Sequence, residues 1–292
     1  MQVTKEDITF VAKLVDELCG VILDDTKGYL IESRLGELAK ASGCASYRDL
    51  CQKARLTHNQ VLQNQIIDAI TTQETLFFRD ESPFAALQYK AIPELLDSKA
   101  KTAFPKRIRI WSAASSTGQE AYSTAMMLCE TIPDVLSWDI HILATDISDA
   151  AIKVASQGWY AKHEIQRGMK PQLLTKYFVE QQGGWKIKDS IRAMVQFQKR
   201  NLHQPFLGIG PFDIIFCRNV AIYFDVPRRR DLFLRLSERL TPDGYLLVGS
   251  SESLLDLGPR FAPQSHCRAT YYQPNRPLRA EAPLARCAAG GR

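Results

Sequence analysis

Residues 108–120 read IRIWSAASSTGQE, an apolar run that leads into a turn of small residues and then into a helix-like stretch. Small side chains at such a turn let a ligand approach the backbone closely, and the first turn of a helix offers free amide donors. The turn is not the G-x-G-x-x-G pattern of dinucleotide-binding enzymes, which disfavours hydride transfer. The stretch predicts a strand–turn–helix unit with a ligand at the turn, although packing alone also explains such a turn.

The alternation of short apolar runs with helix-sized intervals continues from this unit toward the C-terminus. Strands separated by helices indicate βαβ units and a mostly parallel sheet. The strands predicted in this way cover residues 108–111, 140–144, 194–197, 213–217 and 245–248, with 269–272 as an edge or antiparallel partner. The second half of the chain is therefore expected to be an α/β domain.

The chain before residue 108 has a different, purely helical pattern. Up to about residue 75, apolar residues recur at helical spacing, beginning with Ile8, Val11, Leu14, Val15 and Leu18. We expect a small all-helical domain over residues 1–75, a linker and a helix over 76–106, and the α/β domain over 107–274. Ser82 is the expected N-cap of the linker helix, with Pro83 as its first residue.

Two further segments depart from the βα pattern. Gly183 and Gly184 lie between two short alternating runs, which favours a hairpin in an inserted β-subdomain over about residues 157–192. The tail at 275–292 is rich in Pro, Ala, Gly and Arg and is predicted to be disordered, because it has too little apolar content to fold.

The composition limits the class of protein. Of 292 residues, 45% are hydrophobic and 24% charged, which is typical of a globular chain. No apolar run approaches the roughly 20 residues of a membrane helix, and the first residues lack a signal-peptide pattern. Seven scattered cysteines without a C-x-x-C pair, and five scattered histidines, favour a reducing cytoplasm over disulfides or a metal site. A net charge of +5 without a basic, aromatic-rich run disfavours nucleic acid as a partner.

Polar residues follow the second, third and fourth predicted strands, and ligands of open parallel sheets bind beyond the carboxyl ends of strands. Asn201 and Leu202 follow the third, where they could present polar and apolar contacts to an adenine ring. Asp146 lies about 28 positions after the Gly118 turn, where a carboxylate can accept two ribose hydroxyls. The alternative is that Asp146 or Ser148 only caps the next helix. Arg218 and Asn219 leave the fourth predicted strand in a way that suits the mouth of a pocket.

Two aromatic pairs lie close to these strand ends in the sequence. Phe77 and Phe78, followed by Arg79, suggest a lid over the pocket, and a packed hinge between domains is the alternative. Tyr223 and Phe224 suit either the pocket wall or core packing beneath the sheet. The residues alone do not decide between the two alternatives for either pair.

Five motifs occur in order over roughly residues 1–273: TTQETLFFR (71–79), IWSAASSTGQEAYS (110–123), ATDIS (144–148), FDIIFCRNVAIYFD (212–225) and GYLLVGSSESL (244–254). Together they closely resemble the CheR family, S-adenosylmethionine (SAM)-dependent methyltransferases that esterify glutamate side chains of chemotaxis receptors. The resemblance implies a class I, Rossmann-like methyltransferase fold with a mostly parallel sheet, a small N-terminal all-helical domain and an inserted β-subdomain.

The resemblance also implies roles for individual residues. Those it assigns to the cofactor are Gln73, Thr75, Arg79, Glu120, Asp146, Asn201, Leu202, Asn219 and Val220. Glu120 would meet the methionine portion of SAM, Asp146 its ribose and residues 201–202 its adenine. Arg79 and Tyr223 would stand closest to the transferred methyl and are the catalytic candidates. No metal is assigned.

The implied activity is methyl transfer from SAM to glutamate carboxylates in the cytoplasmic domain of methyl-accepting chemotaxis receptors, leaving S-adenosylhomocysteine (SAH). A glutamate carboxylate is already ionised near pH 7, so the reaction requires no strong general base. The alternative is a cofactor-binding regulatory or scaffold homologue with little or no turnover. Its best support is Gln73 in place of the usual Asn, Gln119 in place of the common Glu, and the less basic helix at residues 29–42; Ala121 also replaces the common Pro of the turn.

The partner surfaces are less specified by the sequence. The helix predicted from Tyr29 to Ser42 carries only Arg34 and Lys40, whereas its family counterpart is often more basic and docks the receptor. The hairpin at Gly183 either binds a receptor's C-terminal peptide, as in some family members, or braces the sheet. We expect a cytoplasmic monomer that is not inserted in a membrane.

Overall fold

The computed structural model describes residues 2–56, 59–101 and 106–275. The tail predicted to be disordered lies outside the described residues beyond residue 275. The N-terminal part is a bundle of four helices: α1 (Lys5–Cys19), α2 (Gly28–Ala41), α3 (Tyr47–Leu56) and α4 (Gln60–Ile70). In α1, the Thr4 hydroxyl accepts from the Asp7 amide and the Asp7 carboxylate accepts in return, so the first turn is capped. Gly20 ends α1 in the left-handed conformation that glycine adopts without strain.

One bent helix leads from the bundle to the sheet. Helix α5 (Ser82–Ala86) continues through a π-helical turn at Leu87–Ala91 into α6 (Ile92–Lys99). The N-cap is Glu81, so the expected N-cap Ser82 is wrong by one residue. Pro83 still lies in the first turn, where its missing N–H removes no helical hydrogen bond.

Ten strands form two sheets within the described part of the chain. They are β1 (Arg107–Ala113), β2 (Asp139–Asp146), β3 (Trp159–Ala161), β4 (Phe178–Gln181), β5 (Gly184–Ile187), β6 (Val195–Lys199), β7 (Phe212–Cys217), β8 (Leu240–Val248), β9 (Phe261–His266) and β10 (Ala269–Pro274).

The large sheet has the strand order β6-β2-β1-β7-β8-β10-β9. Its first five strands run parallel, and β10 runs antiparallel to both of its neighbours. The predicted mostly parallel sheet is therefore confirmed. The sequence did not predict β9, in which Phe261 is the only fully buried side chain and Pro263 is tolerated because the strand is at an edge.

Helices cover both faces of the large sheet. They are α7 (Gln119–Thr131), α8 (Asp149–Gln157) and α12 (Val226–Ser237), together with the α5–α6 helix. Helices α9 (Lys162–Gln166) and α10 (Pro171–Tyr177) contact the small sheet of β3, β4 and β5, and α11 (Asp189–Arg192) contacts α7. Successive residues of β1 point to opposite faces, so Ile110 joins a core with Tyr122 of α7 while Trp111 joins another with Phe233 of α12. Because the sheet is buried on both faces, its strands are held in position, and so are the loops that follow their carboxyl ends.

The small sheet has the order β3-β5-β4 and is antiparallel. The predicted hairpin joins β4 to β5, but its two turn residues are Gln182 and Gly183, with φ of 52° and 75°. Gly184 belongs to the strand, where a Cβ would stand 2.4 Å from Trp159 Cζ2. The β-subdomain expected over residues 157–192 thus contains this sheet.

None of the helices in residues 2–56, 59–101 and 106–275 combines the length and the apolarity needed to cross a membrane. The domain boundaries expected at residues 75, 106 and 274 stay a prediction.

Candidate functional site

A cavity of about 350 Å³ lies beyond the carboxyl ends of β1, β2 and β7, between the large sheet and the helical bundle. Every residue assigned to the cofactor or to catalysis from the sequence lines it: Gln73, Thr75, Arg79, Glu120, Asp146, Asn201, Leu202, Asn219, Val220 and Tyr223. The bundle contributes the opposite wall, mainly through the segment after α1 (Val21, Ile22 and Leu23) and through Arg34 of α2. Parallel strands bring these distant residues together because their carboxyl ends meet at one edge.

The turn after β1 brings the backbone close to this cavity. Ala114, Ser116 and Gly118 have φ of 60°, 50° and 96°. A Cβ at Gly118 would stand 3.0 Å from Ala155 Cβ and 3.1 Å from Phe197 Cζ, so the turn packs tightly against α8 and β6. The hydroxyls of Ser115 and Ser116 are buried without a hydrogen-bond partner among the described residues. They are polar groups at the cavity wall with capacity left for a ligand.

Asp146, the last residue of β2, is 6% exposed. Its Oδ2 accepts from the Ser116 amide at 2.8 Å and its Oδ1 from the Ser148 amide at 3.0 Å. Burial raises the pKa of Asp146, and these hydrogen bonds oppose that rise. The Ser148 side chain caps α8 through the Ala151 amide, so Asp146 is not the cap and remains an acceptor on the cavity wall.

Glu120, in the first turn of α7, has both carboxylate oxygens engaged. Oε1 accepts from the Ser112 hydroxyl at 2.7 Å, and Oε2 accepts from Arg218 Nη1 at 3.0 Å. Nη2 of Arg218 donates to Asp80 Oδ2 at 2.8 Å and to the Arg79 carbonyl at 2.9 Å. The sequence placed Arg218 at the pocket mouth, but its side chain is only 2% exposed and joins Glu120 to the linker.

The linker approaches the cavity through a turn in which Phe78 and Asp80 have φ of 53° and 62°. Phe77 packs edge-on against Tyr160 at 5.0 Å and Phe78 against Phe84 at 5.3 Å between ring centroids. Neither ring lines the cavity. The two rings therefore do not form the expected lid and pack in the core, as the hinge alternative predicts, because they gain more burial there than over a polar opening. The pairing of Arg79 with Asp80 that this alternative included is not seen, since Asp80 pairs with Arg218.

The second aromatic pair does lie at the cavity. Tyr223 and Phe224 are partly buried and line its wall. The Tyr223 carbonyl accepts from the Ile22 amide at 3.0 Å, which ties this loop to the helical bundle.

Glu252, which sequence reasoning did not assign to the site, organises the loop after β7. Its carboxylate accepts from the backbone amides of Asn219 (2.8 Å), Val220 (3.1 Å), Ala221 (2.9 Å) and Gly249 (2.7 Å). Asn219 has a φ of 58°, so the loop needs such anchoring. The only signal in the sequence is the position of Glu252 within the motif at residues 244–254.

Asn201 differs from the expectation that its side chain faces a ligand. Its Nδ2 donates to the Leu18 carbonyl and its Oδ1 accepts from the His203 amide, both at 2.9 Å. The side chain thus joins the sheet to the end of α1. Asn201 still lies on the cavity wall, beside the buried side chain of Leu202.

The three residues that depart from the family pattern have different surroundings in the structure. Gln73 Nε2 donates to Thr71 Oγ1 at 3.1 Å, and its buried Oε1 has no partner among the described residues. Gln119 is 2% exposed, accepts from the Thr117 hydroxyl at 2.8 Å and does not line the cavity. Ala121 is fully buried. Only Gln73 therefore changes a group on the cavity wall.

The donor set fits an adenosyl group that carries an amino acid. Asp146 offers a carboxylate to hydroxyl donors of a ligand, and Glu120 offers one to a cationic amine of a ligand. Leu202 and Val220 offer apolar contact for a flat ring. The unpartnered oxygens of Ser115, Ser116 and Gln73 supply further polar contacts.

Comparisons with known proteins agree with this geometry. The family model described as CheR methyltransferase, all-alpha domain, matches residues 6–71, and that described as CheR methyltransferase, SAM binding domain, matches residues 73–268. The chain is 38% identical over 261 residues to chemotaxis protein methyltransferase 1 of Pseudomonas aeruginosa, covering 88% of this chain and 93% of that protein. It is 39% identical to the chemotaxis protein methyltransferase of Vibrio parahaemolyticus (86% and 90% covered) and 35% identical to that of Borreliella burgdorferi (87% and 90%).

Proposed function

The chain belongs to the CheR methyltransferase family, and from this premise we propose that it methylates glutamate carboxylates of chemotaxis receptors with SAM. The observation that supports the proposal most is the shared cavity. Two carboxylates suited to the cofactor, Glu120 and Asp146, line it together with the catalytic candidates Arg79 and Tyr223. A scaffold without turnover has less support, because Gln119 and Ala121 lie off the cavity wall.

The cofactor supplies a methyl group on a positively charged sulfonium and leaves as SAH. In this proposal Asp146 accepts the ribose hydroxyls and Glu120 meets the methionine portion, while Asn201 and Leu202 flank the adenine. The remaining cofactor contacts come from Gln73, Thr75, Arg79, Asn219 and Val220, all on the cavity wall.

The substrate carboxylate needs orientation and dehydration more than a base, since its ordinary pKa of about 4.3 leaves it ionised at neutral pH. The Arg79 guanidinium donates to the Glu74 carbonyl at 2.8 Å through Nη1, which leaves its other donors for an incoming carboxylate. Tyr223 and Phe224 form the wall that excludes water. Opposite charges partly cancel as the methyl moves, so a dry wall favours the reaction.

The proposed partner is the cytoplasmic part of a methyl-accepting receptor. The two cations of α2 are used within the chain, since Arg34 donates to the Ile70 carbonyl at 2.9 Å and Lys40 pairs with Glu37. Because α2 also carries Glu32 and Glu37, its formal charges cancel and it has no net positive charge for docking. A receptor C-terminal peptide at the β-subdomain, a monomeric state and a cytoplasmic location stay predictions.

The proposed function is tested with methyl-labelled SAM and receptor-bearing membranes. Labelled protein that releases volatile methanol in mild alkali is expected, because methyl esters hydrolyse there and N-methyl groups do not. SAH binding without any incorporation would indicate the scaffold homologue instead.

Arg79→Ala should lower turnover about 100-fold while SAH affinity falls less, because the side chain orients the substrate as well as contacting the cofactor. Initial rates with receptor membranes and titration calorimetry with SAH measure the two effects. The matched control is Arg109→Ala, in β1 at the opposite end of the sheet, which should leave both unchanged. Full turnover with intact SAH affinity would remove Arg79 from the mechanism.

A further inference from the structure

Arg218 has an environment that neither the cofactor nor the substrate role explains. Its side chain is 2% exposed, although it follows β7 directly at the cavity. Through Nη1 it pairs with Glu120 of α7, and through Nη2 it reaches both the carboxylate of Asp80 and the carbonyl of Arg79 in the linker. One guanidinium thus connects three separate segments of the cavity wall.

We infer that Arg218 is a positioning residue that holds the linker turn at residues 79–80 and the Glu120 carboxylate in their places at the cavity, with Asp80 as its partner on the linker. The inference rests on the proposed function, because it assigns Arg218 to the placement of two residues proposed to contact the cofactor. Arg218 acts through these groups and not on the reacting atoms.

The linker turn needs such a contact. Phe78 and Asp80 both have positive φ values, which cost free energy for residues with a side chain. Nη2 of Arg218 donates to the carbonyl of Arg79, so the bond fixes the backbone from which the catalytic candidate extends. Without this bond, the turn would relax toward less strained φ values, and the Arg79 side chain would move with the backbone.

The positive charge of buried Arg218 explains why two carboxylates, Asp80 on the linker and Glu120 on α7, lie beside it. An unpaired arginine in a buried position is costly, and a guanidinium can meet two acceptors with fixed geometry because its donors form a planar fork. Glu120 and Asp80 together outweigh the single positive charge of Arg218. The two carboxylates therefore neutralise Arg218 and leave one negative charge among these three groups.

A comparison of Arg218→Lys, Asp80→Asn and the double variant tests the inference in the full chain. Lysine keeps the charge but cannot reach Glu120, Asp80 and the Arg79 carbonyl in one fork. Asp80→Asn removes the negative charge that pairs with Arg218 from the linker side, where the carboxylate is 39% exposed, and keeps an amide oxygen that accepts only a weaker, uncharged hydrogen bond. Asp139→Asn, which breaks the Arg109 pair at the other end of the sheet, is the matched control.

Three readouts are taken: amide hydrogen exchange of residues 76–81 in the cofactor-free protein, SAH affinity by calorimetry, and kcat with KM for SAM. For Asp80→Asn we expect faster exchange of the linker turn and about a 10-fold loss of kcat, with a smaller change in SAH affinity. Arg218→Lys should also weaken SAH binding about 10-fold, because Glu120 is released too. The double variant should show no more linker exchange than Arg218→Lys alone, since the contact that Asp80→Asn weakens is already lost in Arg218→Lys.

Unchanged linker exchange and unchanged kcat in Asp80→Asn would overturn the inference, and so would linker-exchange effects that add fully in the double variant. If Arg218→Lys does not fold, the Asp80→Asn result alone decides. Hydrogen exchange and SAH binding need no receptor, so they test the positioning role even if receptor methylation fails. Loss of methylation in the parent protein with the expected exchange pattern would count against the proposed function and not against this role of Arg218.

Discussion

Asp146 shows how one side chain can serve both the fold and the site. Two backbone amides, one from each of two different turns, donate to its carboxylate, and the oxygens still lie on the cavity wall. The sequence left open whether this position caps a helix or faces a ligand. The cap belongs to Ser148, so Asp146 is available as an acceptor.

Asp146→Asn should weaken SAH binding about 10- to 100-fold, because a hydrogen bond to a charged acceptor contributes roughly 1.5–3 kcal/mol. Titration calorimetry with SAH measures the change. Asp139→Asn is the matched control, since it makes the same change in the first residue of β2 instead of the last. Equal affinity of parent and Asp146→Asn would show that the ribose does not bind here.

The raised pKa of Asp146 predicts a pH dependence of stability in the cofactor-free protein. Burial raises the folded-state pKa of Asp146 above its unfolded value, so the folded protein binds this proton more tightly than the unfolded chain. The ionised form therefore costs stability above the raised pKa, and the cost disappears as the pH falls below the unfolded value of about 3.9. Asp146→Asn has no such dependence at this position.

We expect the stability of the parent relative to Asp146→Asn to fall as the pH rises from about 4 through the raised pKa of Asp146. Thermal melts of both proteins across this range, without cofactor, give the difference directly, and other titrating groups cancel in it. A difference that stays constant or increases with pH would contradict the raised pKa.

At the scale of elements, the loop between β7 and α12 depends on a carboxylate from the loop after β8. Glu252 lies 33 residues from Asn219 in sequence and accepts four backbone amides in total. The loop it holds carries Asn219, Val220 and Tyr223 on the cavity wall. Fixing the loop therefore also fixes part of the site.

Glu252→Gln keeps the shape of the side chain but replaces one acceptor oxygen with an NH₂ group, which leaves two of the four amides unpaired. We expect a loss of about 2–6 kcal/mol in stability, from roughly 1–3 kcal/mol for each of the two unpaired amides, and weaker SAH binding. Urea unfolding and calorimetry measure the two quantities. The same exchange at exposed Glu238 is the control, and equal behaviour of both variants would refute the role given to Glu252.

At the scale of the whole molecule, the helical bundle is part of the cavity and not only an appendage of the sheet. The Leu18 carbonyl accepts from Asn201, the Ile22 amide donates to the Tyr223 carbonyl, and Asn64 donates to Asp149 at 2.8 Å. These bonds seat the end of α1 and the face of α4 against the sheet. A ligand in the cavity would contact both parts.

SAH at 100 times its dissociation constant should stabilise the protein by about 2.7 kcal/mol and slow amide exchange on both sides of the cavity. The bundle segment 20–34 and the turn 114–120 should gain protection together. Hydrogen exchange with and without SAH measures this, and segment 43–56, which has no residue on the cavity wall, is the internal control. Protection confined to the sheet side would show that the bundle does not contribute to binding.

What the sequence determined by itself is the change from a helical part to alternating strands and helices, and the edge of the sheet where the candidate site is expected. Apolar spacing is a local property, so the helices of the bundle and the parallel strands could be predicted from it. Residues after strands converge because the topology brings strand ends together, which is why Asp146 and Asn219 could be assigned before any contact was known. The edge strand β9 was missed because it presents little buried apolar surface of its own.

Only the tertiary structure decided which polar groups meet and which way the aromatic rings turn. Arg218 lies 98 residues from Glu120 and 138 from Asp80, and no local pattern reports such pairs. From the sequence, Phe77 and Phe78 could equally have covered the cavity. Their orientation follows from their contacts with the rings of Tyr160 and Phe84 in the core. A side chain's partner depends on how the whole chain packs, because burial makes each polar group bond to whatever donor or acceptor the fold brings within reach.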